Sequence, residues 1–122
     1  FRLLLAPHRG SWQEAGLPRM AEEFTTPVPI VYQGIHPGSR PAADSFLSVD
    51  ASNIIVSVVK KQEQGDDLIL RCYETAGRAT SASIDLRFAK RRWTGQFRPS
   101  EIKTLRFTPS TGEFREVSAL EE

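Results

Sequence analysis

The sequence predicts a mostly β protein, an antiparallel β-sandwich with one short helical segment near the N-terminus. Three observations predict it. Ala82, Ile84, Leu86 and Phe88 alternate with Ser81, Ser83, Asp85 and Arg87, the period-two pattern of a strand with one buried face and one wet face. Ile54-Ile55-Val56-Ser57-Val58-Val59 is a β-branched run bounded by the turn residues 50–53 and the polar stretch 62–67. Other short apolar runs follow, separated by turn signals, and one stretch alone has helical spacing.

The elements follow in order. Phe1 to Ala6 is apolar and ends at Pro7, which predicts an opening strand. Ser11 and Glu14 have the spacing of a capping box. Leu17, Met20 and Phe24 then recur at helical intervals, with Pro18 interrupting them. A short, kinked helix or two helical turns between Trp12 and Phe24 are expected. Residues 25–45 hold Pro27, Pro29, Pro37 and Pro41 with Gly34 and Gly38. They read as a connector, with Pro29 to Tyr32 able to form a short edge strand. Strands are expected at Ser45–Val49, at Ile54–Val59 as a central strand covered on both sides, and at Leu68–Tyr73, Ala82–Phe88, Ile102–Phe107 and Phe114–Val117. The chain is thus expected to be one domain: 1–24 an opening strand and short helix, 25–45 a Pro-rich connector, 46–118 the sandwich.

Composition narrows the function. The 122 residues include 39% hydrophobic and 25% charged side chains, a globular balance. Sixteen basic and 15 acidic side chains give a net charge of +1, so no one-sign field favours nucleic acid. Lys90-Arg91-Arg92 reads as a solvated turn. No stretch approaches the ~20 apolar residues of a membrane span, and no signal peptide is visible. Cys72 has no partner for an intrachain disulfide and alternates with Leu68 and Leu70 as a small buried hydrophobe. A cytoplasmic setting is expected.

No catalytic or metal site emerges from the residues. Asp66-Asp67 reads as a solvated loop, and Glu74 and Asp85 are expected to face water rather than to form a catalytic carboxyl pair. His8, His36 and Cys72 lack zinc-ligand spacing. Tyr73, Glu74, Gly77, Arg78 and Thr80 stand out. They read either as a tight turn, with Gly77 at a positive backbone angle and Glu74 paired with Arg78, or as a surface for a neighbouring domain or pocket rim. Trp12 and Trp93 read as partly buried core or as sugar-stacking platforms. Glu101 and Lys103 share a strand face as a surface pair.

Three ordered blocks resemble one family. They are Phe1–Trp12 with Ala15, then Ser45–Val49, Asn53–Lys61 and Asp67–Thr80, and finally Pro99–Phe107. They are similar to the Pro-His and Trp-x-x-Ala opening, the Lys-Lys and Tyr-Glu-Thr-x-Gly-Arg-x-Thr series, and the Glu-Ile-Lys-Thr-Leu strand of the C-terminal β-sandwich in family 38 glycoside hydrolases, the α-mannosidases. One departure is visible. The family has a longer run before its Glu-Ile-Lys strand, and here only residues 89–97 fill it, so a sandwich strand is expected to be missing or replaced by a turn at Arg92–Gly95.

The resemblance implies a structural domain of a retaining α-mannosidase whose nucleophile, acid/base carboxylate and zinc lie in a catalytic domain outside this chain. The chain itself is then expected to be inactive and without a cofactor. Its partner would be that catalytic domain, it would meet mannose-containing glycans only through the parent enzyme, and Tyr73, Glu74 and Arg78 would face the partner. Apolar surface left open by a lost partner would favour self-association. A stand-alone carbohydrate-binding module is the alternative, needing Trp12, Tyr32, Tyr73 and Trp93 in one plane. An immunoglobulin-like interaction domain lacks its Cys-Trp-Cys spacing.

Overall fold

A computed structural model describes residues 1–122. One α-helix, α1 (Leu17–Thr25), precedes seven strands: β1 (Leu47–Val49), β2 (Ile54–Lys61), β3 (Leu68–Glu74), β4 (Thr80–Leu86), β5 (Arg91–Phe97), β6 (Ile102–Thr108) and β7 (Glu113–Val117). They form two antiparallel sheets, β1-β4-β5 and β2-β3-β6-β7. This is the mostly β, two-sheet architecture with one short helix that the sequence predicts.

Alternation builds the core. In β3 the residues Leu68, Leu70, Cys72 and Glu74 point one way, and their register with Phe107, Leu105 and Lys103 carries that face across to β6. Ala82, Ile84 and Leu86 of β4 face them from the other sheet, together with Phe97 of β5. Ile54, Leu70, Cys72, Leu105 and Phe107 complete the buried cluster. Burying each large apolar side chain contributes about 1.5–3 kcal/mol.

The back of the four-stranded sheet is closed by the C-terminal tail. Arg71 Nη2 donates to the Ala119 carbonyl at 2.8 Å. Lys60 Nζ meets Glu121 Oε1 at 2.7 Å, and the Glu63 amide donates to Glu121 Oε2 at 3.3 Å. The tail thereby reaches from β7 to β2, and Ile69, which pairs with Lys60 and Arg106 and lies outside the central cluster, is fully buried.

Several expectations fail. Residues 89–97 hold neither a gap nor a turn at Arg92–Gly95. After a 3-10 turn (Arg87–Ala89) that takes Phe88 out of the strand, Lys90 adopts φ 52° and the chain reverses into β5, paired with β4 from Thr80↔Phe97 to Leu86↔Arg91. Arg91 and Arg92 open that strand, so only Lys90 of the basic run lies in the turn. The run 54–59 is an edge strand, not a central one; both of its faces are covered only at Ile54 and Ile55. Phe1–Ala6 and Pro29–Tyr32 are not strands. The helix is shorter than the Trp12–Phe24 span. Ser11 and Glu14 do bond reciprocally, the Ser11 amide giving to Glu14 Oε2 at 2.8 Å and the Glu14 amide to Ser11 Oγ at 3.3 Å, but they cap a turn. The helix starts after Gly16, and Pro18 sits in its first turn, where a missing amide hydrogen costs nothing. No helix is long and apolar enough to cross a membrane.

Candidate functional site

The turn after β3 is organised from inside by one carboxylate. Glu74 is 3% exposed, so the expectation that it faces water fails. Its place in the Leu68-Leu70-Cys72 alternation points it inward. Its Oε1 accepts from Asn53 Nδ2 and the Ala76 amide, each at 2.7 Å. Its Oε2 accepts from the amides of Gly77 (2.8 Å), Arg78 (3.2 Å) and Ser100 (2.8 Å). Glu74 meets Arg78 through the Arg78 backbone, not through the guanidinium. Burial pushes the Glu74 carboxyl up, but the Ser100 amide, the Asn53 side chain and the Ala76 and Arg78 amides outweigh it and hold the group below the usual carboxylate range. Gly77 takes φ 68°, the positive angle expected of it. One side chain thus ties the turn before β2, the loop 75–79 and the turn before β6 together. Asn53, which also donates to Thr80 Oγ1 at 2.7 Å, is the partner the sequence reading missed; an amide side chain in a turn directly before a strand is the signal that could have found it.

The other sequence-selected residues lie apart from it. Tyr73 faces the opposite side of β3, where its hydroxyl donates to Glu22 Oε1 of α1 at 2.7 Å. Burial first, and Glu22 second, push its phenol up to about 12. Burial likewise pushes the Cys72 thiol up to about 12, which makes it an inert core residue. Arg78 is exposed and lines a polar cleft of about 570 Å3 between the Ser11–Arg19 segment and the turns at Asn53 and Ala76. Trp12 is 46% exposed beside that cleft in sequence. Trp93 packs edge-on against Phe97, with ring centroids 5.7 Å apart, and lies over Gly95, where a Cβ would run into its ring. Trp93 therefore serves the core.

No group of three or more His, Cys, Asp or Glu side chains is placed to hold a metal ion. Asp85 pairs with Arg92 through two bonds of 2.7 and 2.9 Å across β4 and β5. Lys103 and Glu101 are not a surface pair. They are nearly buried and 3.5 Å apart, with Glu116 at 2.7 Å from Lys103 Nζ.

At the surface the larger feature is apolar. No residue before Asn53 is buried. Phe1, Leu3, Leu5, Ile30, Val31 and Tyr32 are exposed along the N-terminal arm.

Comparison with known proteins supplies the context. Residues 53–94 match the family model described as the glycosyl hydrolases family 38 C-terminal beta sandwich domain. They run from the turn before β2 into β5. A protein named alpha-mannosidase G, from Dictyostelium discoideum, is 32% identical over 82 residues, which make up 66% of this chain and 8% of that protein. The chain thus aligns with a small part of this relative's length. No solved structure matches.

Proposed function

We propose, from the match of residues 53–94 to the family 38 C-terminal beta sandwich domain, that the chain is a structural domain of an α-mannosidase, docked through its N-terminal arm on the part of the enzyme that cleaves the glycan. The observation that carries this reading is the arm itself. Its apolar side chains enter no buried cluster, while the sandwich beside it packs a core around Ile54, Leu70, Ile84, Phe97 and Phe107. In this reading the parent hydrolyses α-mannosidic bonds with retention of configuration, using a zinc ion and carboxylates outside this chain. The chain contributes folded surface and no reacting group, and it meets mannose-containing glycans only as part of the parent. The buried position of Glu74 leaves Arg78 and the arm as the groups that face the partner.

The test has two arms. The purified chain is expected to leave an aryl α-mannoside unhydrolysed, and to co-purify with the remainder of a family 38 α-mannosidase polypeptide when the two are produced together. Hydrolysis by the chain alone, or separate elution of the two pieces, contradicts the proposal.

A further inference from the structure

We infer that the cleft between Arg19 and Arg78 is a carboxylate-docking site, the seat of an acidic side chain from the rest of the parent enzyme. Most of the sixteen basic residues are already engaged in ion pairs, hydrogen bonds or contacts with aromatic rings. Arg9, Arg19, Arg78 and Lys90 make no such contact, and of these Arg19 and Arg78 line the same cavity. They come from different elements, Arg19 from α1 and Arg78 from the loop between β3 and β4.

The cleft's own carboxylate is committed. Its one carboxylate, Glu14, takes bonds from both the amide and the hydroxyl of Ser11, which hold its carboxyl below the usual range. Thr75 Oγ1 donates to the Asn53 carbonyl, and the Asn53 amide nitrogen donates to Glu74 and Thr80. Two guanidinium groups remain, each a planar fork of donors with no accepting atom. Gly16 and Pro18 bring the positive end of α1 to the same cleft.

A carboxylate only accepts, and two unpaired guanidinium groups suit it in charge. A sugar hydroxyl is neutral and gains nothing from the two positive charges. A carboxylate held by both arginines would also pin α1 to the sandwich, which the helix otherwise meets through the Tyr73–Glu22 bond. This partner assignment rests on the domain reading above.

Two measurements separate the cleft from that reading. In the chain alone, a glutarate titration followed by NMR should shift the Arg19 and Arg78 side-chain signals saturably. Arg19→Gln and Arg78→Gln should each abolish the saturation, and methyl α-mannoside should give no shift. In co-production with the remainder of the enzyme, Arg19→Glu with Arg78→Glu should weaken co-assembly at least tenfold, with the circular dichroism spectrum unchanged, while Lys90→Glu, the same charge change elsewhere, should leave it intact. No saturation by glutarate, or saturation that survives both glutamine variants, overturns the cleft assignment. Equal co-assembly by the double variant and by Lys90→Glu overturns the partner. Failure of the unmodified chain to co-assemble overturns the domain reading and this partner with it, and glutarate binding is judged independently of that result.

Discussion

Phe97 and Ile30 are both large apolar residues; the first is 1% exposed and the second 86%. Phe97 lies in β5, whose pairing with β4 holds it against Leu70, Leu105 and Phe107. Ile30 lies between Pro29 and Val31 in an arm that forms no strand. The difference is one of neighbours rather than of composition. A strand-like sequence becomes a strand only where a second strand accepts and gives its backbone hydrogen bonds, and an apolar side chain stabilises the fold only where something covers it. The sandwich supplies the cover for its core. The arm has none within the chain.

Four substitutions sharpen that contrast, from the largest expected effect to the smallest. Phe97→Ala should cost about 3–5 kcal/mol, the usual loss for an aromatic ring removed from a core, read as a shift of the urea midpoint at unchanged slope. Glu74→Gln should cost about 2–3 kcal/mol, because some of the five donors around the carboxylate lose a charged acceptor. This variant also has a pH signature. The folded Glu74 carboxyl titrates below its ordinary value, so its contribution is present above the unfolded value, about 4.3. It is lost as pH falls from there through the folded value. Urea midpoints should therefore drop less on acidification in Glu74→Gln than in the unmodified protein. Equal drops would remove Glu74 from the account.

Gly95→Ala should cost about 1–3 kcal/mol, since the new methyl must push aside the Trp93 ring, and tryptophan emission should move to longer wavelength. Ile30→Ser should change the stability of the chain by no more than about 0.5 kcal/mol. A cost near that of Phe97→Ala would mean that the arm is part of the core after all, and the contrast between the two regions would collapse.

The same contrast decides what the sequence revealed. β3, β4 and β6 were legible because Leu70, Cys72, Ile84, Leu86, Leu105 and Phe107 alternate with polar or small residues. β5 was not. Arg91, Arg92, Thr94 and Gln96 dominate its composition, and one of its three inward positions is Gly95, a gap filled by the ring of Trp93 two residues away. The edge position of β2 was hidden because apolar side chains on both faces resemble a central strand, whereas Ser57 and Val59 are exposed. The strand expected at Phe1–Ala6 had the right composition and no partner to pair with. Of the candidate site, the turn around Gly77 could be read directly. The inward aim of Glu74 was missed although its parity with Leu68, Leu70 and Cys72 carried the signal, and its donors come from three separate loops, so only the fold brings Asn53, Ala76 and Ser100 to one carboxylate. The cleft between Arg19 and Arg78 is also a product of the fold, since its two cations lie on elements far apart in sequence.

The claim that the N-terminal arm is covered by the rest of an α-mannosidase is tested most directly by amide hydrogen exchange over residues 1–45, measured on the isolated chain and on the chain assembled with the remaining polypeptide. The account predicts rapid exchange in the isolated chain and protection over Leu3–Leu5 and Val28–Tyr32 after assembly, with residues 54–108 protected in both. Identical exchange of the arm in the two states would contradict it.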